Sequence, residues 1–138
     1  MNTEKITVTA TVDADAAKAW QFYTQPEHIT QWNFASDDWQ CPWAENDMKP
    51  GGKYIARMEA KDGSMGFDFE AVYDEVNPGE SFTYTMPDGR RVDVTFTANN
   101  NSTDVTIVFD PENIHPADFQ QAGWQAILDN YKKYTENN

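Results

Sequence analysis

The stretch Asp118-Phe119-Gln120-Gln121-Ala122-Gly123-Trp124-Gln125-Ala126-Ile127-Leu128-Asp129-Asn130-Tyr131-Lys132-Lys133-Tyr134 decides the fold. Phe119, Gly123, Ile127, Tyr131 and Tyr134 recur at helical spacing, and Trp124 and Leu128 widen the stripe. Pro116 suits the first turn of a helix. Asp118 complements the positive end of its dipole, and Lys132 and Lys133 the negative end. The spacing therefore predicts one long C-terminal helix with an aromatic face that something must cover.

The cover is legible upstream. Ile6, Val8, Ala10 and Val12 alternate with Thr7, Thr9 and Thr11, the period of a strand with one buried face. From Asp13 the spacing changes: Ala16, Trp20 and Tyr23 form one stripe of a short helix, and Thr24-Gln25-Pro26-Glu27 resembles a capping box that opens another. Five further alternating runs follow, 54–60, 67–76, 81–86, 92–98 and 103–109. The turns between them carry Gly, Asn, Asp and Pro and are short enough for hairpins, so these runs read as an antiparallel meander. The order strand, two short helices, strands, long helix is an α+β layout in which a curved antiparallel sheet wraps the last helix.

Composition bounds the function. The chain has 138 residues, room for one domain, and 39% are apolar, enough for one core. Apolar runs stop at three residues, as in Ile107-Val108-Phe109, which excludes a membrane-spanning helix and predicts no membrane insertion. The first residues lack the pattern of an export signal, so a cytoplasmic location is expected. Twenty-three acidic against ten basic residues give a formal charge of −13, a field that repels phosphate backbones and excludes nucleic acid as a natural partner. The lone Cys41 has no partner for an internal disulfide.

The same order, with Trp32-Asn33-Phe34-Ala35-Ser36-Asp37-Asp38-Trp39-Gln40-Cys41-Pro42, Pro50-Gly51-Gly52, Phe67-Asp68-Phe69-Glu70, Phe109-Asp110-Pro111-Glu112-Asn113 and Gly123-Trp124-Gln125-Ala126-Ile127-Leu128, resembles a known family. It is similar to the bacterial homologues of the activator of heat-shock-protein-90 ATPase, C-terminal-domain type, within the START-like (SRPBCC) helix-grip superfamily. The likeness runs over nearly the whole chain. It implies a seven-stranded sheet gripping the long helix, with a deep cavity between them that holds an apolar small molecule in many relatives. One departure is Asp15, where similar sequences often place a proline. The resemblance also raises the chaperone as a partner. Eukaryotic activators, however, make much of that contact through an additional N-terminal domain, for which 138 residues leave no room, and this weakens the expectation.

Candidate chemistry follows from inward-facing bulk. The expected function is a small-molecule binding domain for an apolar, lipid-like or polyaromatic ligand, with Trp32, Phe34, Trp39, Met58 and Phe67 as candidate lining from the first half of the chain. Phe69, Tyr84, Phe96, Trp124 and Ile127 complete the set. Trp39, Cys41 and Trp43 fall on one side of a possible strand, which reads equally as a cavity wall or as a satellite core.

No cofactor is expected. Asp37, Asp38, Glu45 and Asp47 lack the spacing of a calcium loop and read as surface or capping carboxylates, so no metal is predicted. His28 and His115 are the only imidazoles, too few for an evident catalytic set, and no catalytic residue is assigned. Alternation puts Asp68 and Glu70 opposite Phe67 and Phe69, and Arg57 opposite Met58, on the solvent face. The alternatives are an enzyme acting on an apolar substrate in the cavity, and a co-chaperone or stress-linked interaction protein.

Overall fold

The computed structural model describes residues 4–138. In chain order the elements are β1 (Ile6–Val12), α1 (Ala16–Thr24), α2 (Pro26–Trp32), β2 (Trp39–Gln40), β3 (Ala44–Asn46), β4 (Lys53–Ala60), β5 (Gly66–Asn77), β6 (Ser81–Thr85), β7 (Arg91–Asn99), β8 (Ser102–Phe109) and α3 (Ala117–Glu136). All strand pairs are antiparallel, in the order β1-β8-β7-β6-β5-β4-β2, with β3 also on β4. The sheet thus has seven positions, the last shared by β2 and β3. Pro42 lies between these two strands, and a residue with no N–H donor cannot sustain a ladder there. Trp43 O still accepts from Arg57 N at 3.0 Å, which keeps the broken edge on β4.

Alternation selects the concave face. Val8 and Val12 of β1, Val92 and Val94 of β7, and Val105, Ile107 and Phe109 of β8 are all buried. The meander runs on with a register shift between Tyr73 and Glu75, a bulge that bends the long β5. Gly51 turns the chain into β4 with a φ of +83°, and at Gly52 a Cβ would fall 2.0 Å from Asp47 O, so only glycine fits.

Two local expectations change. Thr24 does not cap α2: it ends α1 and donates its hydroxyl back to Trp20 O at 2.8 Å, leaving Gln25 as an N-cap without a side-chain bond. Pro116 is the residue before α3, in extended backbone, and not part of its first turn. Asp15, the departure from the usual proline, is the working cap of α1 and accepts from Lys18 N at 2.8 Å.

α3 is fastened along one edge of the sheet. Gln121 and Gln125 donate side-chain amides to Thr7 O at 3.1 Å and Thr9 O at 2.9 Å on β1. Its second half locks onto the short helices: Tyr131 donates its hydroxyl to Ala19 O at 2.6 Å, and Tyr134 meets His28 Nδ1 at 2.8 Å. Held on β1, α1 and α2, the helix stands away from β4, β5 and β6 along its first half. No helix among the described residues is long and apolar enough to cross a membrane.

Candidate functional site

Between the first half of α3 and strands β4 to β6 lies a cavity of about 370 Å3. Its walls are mainly hydrocarbon and aromatic ring. Met58, Phe67, Phe69 and Tyr84 line it from the sheet, Trp124, Ile127 and Leu128 from α3, and Ile29 and Trp32 from α2. Trp124 is pinned against Phe109, with ring centroids 4.2 Å apart and nearly parallel planes. Gly123 also faces the cavity, and a Cβ there would meet nothing within 4 Å. The missing side chain is part of the empty space.

Seven of the ten candidate lining residues are therefore on this wall: Trp32, Met58, Phe67, Phe69, Tyr84, Trp124 and Ile127. Phe34, Trp39 and Phe96 are not, and the three differ in cause. Phe96 does point inward, but Trp20 and Tyr23 of α1 sit edge-on to its ring, at centroid distances of 5.3 and 5.5 Å, and fill the space. Trp39 packs edge-on to Phe67 at 6.2 Å, outside the cavity wall. Phe34 follows α2 in irregular chain and borders a separate shallow groove with Gln31 and Asn130. The broken edge also cancels the expected common side of Trp39, Cys41 and Trp43: Cys41 is buried while Trp43 is 43% exposed.

Sequence reasoning missed the polar part of the lining. Tyr23, Tyr54, Tyr73, Asn33 and Asn46 gather at the end of the cavity nearest the short helices, beside Tyr84. Tyr73 donates to Asn46 Oδ1, and Asn46 spends its amide N–H on Thr24 O at 2.6 Å. Asn33 donates to the Tyr54 hydroxyl at 3.3 Å. Burial pushes the phenols of Tyr23, Tyr54, Tyr73 and Tyr84 above their ordinary range, so all four stay protonated and neutral. Tyr54 and Tyr73 occupy inward strand positions like Phe69, and that alternation was the available signal.

At the other end, Phe67 (51% exposed) and Phe119 (62% exposed) reach both cavity and solvent and form an apolar mouth. The loop there is built on Gln120, which is buried. Its amide donates to Glu112 O at 3.1 Å and His115 O at 2.8 Å, and its oxygen accepts from Glu112 N at 2.9 Å. Glu112 takes the backbone N–H of His115 at 2.6 Å and of Ile114 at 3.1 Å. These bonds, the one from His115 N first, hold its carboxyl below the usual range. His115 itself is exposed, stacked on Phe119, so its imidazole stays outside. His28 stacks on Phe22, and neither imidazole lines the cavity.

The remaining side chains sit as their pattern predicts. Asp68 and Glu70 are exposed, and Arg57 bridges Glu59 at 3.2 Å and Asp68 at 3.3 Å on the outer face. Asp37, Asp38, Glu45 and Asp47 are exposed. Burial raises the Cys41 thiol above its ordinary value, which disfavours a reactive thiolate.

Against this geometry, residues 13–136 match the family model described as Activator of Hsp90 ATPase homolog 1-like protein. The chain belongs to this AHSA1-like family. An AHSA1-like protein from Aeromonas hydrophila, solved in solution, is 40% identical, with 96% of this chain and 92% of that one covered and a TM-score of 0.91. A Cytophaga hutchinsonii protein is 48% identical, covering 97% and 93% of the two chains at a TM-score of 0.84. A Chromobacterium violaceum protein at 21% identity and a TM-score of 0.86 shares the fold over 98% of this chain and 99% of that one. A search of curated proteins gives no match. The AHSA1-like fold, of START type, is consistent with a ligand-binding domain.

Proposed function

We propose that this AHSA1-like domain binds an apolar small molecule, lipid-like or polyaromatic, in the space between its sheet and α3. The observation that carries the reading is a hollow of about 370 Å3, open at the Phe67 and Phe119 mouth and walled by Met58, Phe69, Trp124 and Ile127, in a chain of ordinary domain size. Space of this kind forfeits packing contacts and is costly to keep unless something occupies it. A ligand of ~20 heavy atoms gaining ~0.3 kcal/mol per atom binds with ~6 kcal/mol, an affinity of tens of micromolar.

The test is a titration with sterols, fatty acids and polyaromatic compounds, read by tryptophan fluorescence and amide chemical shifts. Saturable shifts at Met58, Phe69, Trp124 and Ile127 are expected. Their absence across the panel would sink the reading.

A further inference from the structure

Three tyrosines stand on three neighbouring strands of the concave face: Tyr54 on β4, Tyr73 on β5 and Tyr84 on β6. Their rings are close, with Tyr84 centred 5.9 Å from Tyr54 and 6.0 Å from Tyr73. Tyr23 of α1 completes the group: it lines the same cavity, and its ring is centred 5.9 Å from Phe82, which in turn stacks on Tyr84 at 6.1 Å.

The hydroxyls are unequally used. Tyr73 gives its proton to Asn46. Tyr54 accepts from Asn33, which leaves its own proton unspent. Tyr23 and Tyr84 make no hydrogen bond to any described residue, although Tyr84 is only 6% exposed.

Ring packing alone does not explain these phenols. Phe69 and Phe82 fill equivalent inward positions beside Tyr84 without a hydroxyl. Among the buried side-chain oxygens and nitrogens of the described residues only Thr83 Oγ1 lacks a partner, so the Tyr23 and Tyr84 oxygens are not sealed in protein but open onto the cavity that both residues line. The unspent protons are donors aimed into the hollow.

Resting on the binding reading above, we infer that the ligand carries one neutral oxygen acceptor, a carbonyl or hydroxyl, seated between the Tyr23, Tyr54 and Tyr84 hydroxyls, with its apolar body toward Trp124 and Phe67. A carboxylate does not fit this end. Among the described residues Arg90 is the only cationic one on the cavity wall, it belongs to the turn between β6 and β7, and its guanidinium already meets Asp88 at 2.7 Å. The formal charge of −13 further disfavours an anion.

Three probes of one shape separate the possibilities: benzophenone, diphenylmethane, which lacks only the carbonyl, and diphenylacetate. Affinities are measured for the wild type and for the Tyr23→Phe/Tyr84→Phe double variant, and the carbonyl resonance of 13C-labelled benzophenone is followed. The wild type is expected to prefer benzophenone to diphenylmethane by roughly tenfold, two hydrogen bonds at about fivefold each less the cost of desolvating the ketone. The carbonyl resonance should move downfield on binding. In the double variant, which keeps the Tyr54 hydroxyl, the preference should fall to about twofold, one remaining bond less the same desolvation cost, and the resonance shift should shrink. Because it removes unpartnered hydroxyls, the variant should melt no lower than the wild type, which shows that it folds.

Equal wild-type affinities for ketone and hydrocarbon, a preference undiminished in the double variant, or tighter binding of diphenylacetate than of the ketone would each overturn the inference and leave the cavity reading standing. Failure of every probe to bind at millimolar concentration would overturn both.

Discussion

The two halves of the interior carry similar aromatic side chains and end differently. Under α1 and the second half of α3, Trp20, Phe96 and Tyr131 are closed over by edge-to-face contacts, with Trp20 5.8 Å from Phe82 and Tyr23 4.9 Å from Tyr131, and none of the three lines the cavity. Under the first half of α3, Phe69 meets Trp124 edge-on at one wall, with ring centroids 6.4 Å apart, and both border the cavity together with Tyr84. Aromatic content does not decide which half is solid. What decides is the covering element: α1 drives Trp20 into the concave face, whereas α3 is tethered to β1 by Gln121 and Gln125 and spans the other half without descending into it.

This contrast can be broken. Phe96→Ala, in the filled half, should cost about 3–5 kcal/mol in chemical denaturation, because neighbours already in contact on all sides cannot collapse into the gap. Phe69→Ala, at the edge of the hollow, should cost less than half as much while weakening ligand binding. Equal losses would show that the hollow is packed in solution.

Gly123→Leu inverts the experiment by filling the hollow from α3, where a Cβ meets nothing. Removing a helical glycine should stabilise by up to ~1 kcal/mol, while fluorescence-detected binding of apolar ligands weakens tenfold or more. Retained affinity would place the ligand elsewhere.

Asp15→Ala removes the cap of α1 and should cost about 1 kcal/mol, felt first in hydrogen exchange of the filled half, with ligand affinity little changed.

The smallest effect belongs to the mouth. The Glu112 carboxyl is held below its ordinary value of 4.5, chiefly by the His115 N–H. A group depressed in the folded state stabilises above its unfolded pKa, and that stabilisation is lost as pH falls through the folded value. Amide exchange at Ile114 and His115 should therefore quicken as pH drops from about 4.5 into the depressed range, after correction for the intrinsic rate. Glu112→Gln should remove most of this dependence.

Much of the molecule was readable before any coordinate. Strict alternation put Met58, Phe67, Phe69 and Tyr84 on the concave face, and helical spacing put Trp124 and Ile127 opposite them. Phe96 obeys the same alternation, but pattern reports only which way a ring points, and Trp20 decides that the space before it is filled. Phe34 and Trp39 lie in chain without sustained period, so their bulk carried no direction. Tyr54 and Tyr73 were inward by alternation too, yet a phenol in an aromatic-rich strand reads as core until its hydroxyl is seen to lack or find a partner.

The sequence by itself determined the long strands and the helices, their faces, the acidic surface and the family, because periodicity, turn chemistry and charge are local properties of the chain. Only the tertiary structure decided that one half of the interior stays open, that its far end is phenolic, and that the seventh sheet position is split. Those outcomes depend on how far a helix stands from a sheet, and that distance is set by contacts between residues more than a hundred positions apart, such as Gln121 and Gln125 with Thr7 and Thr9.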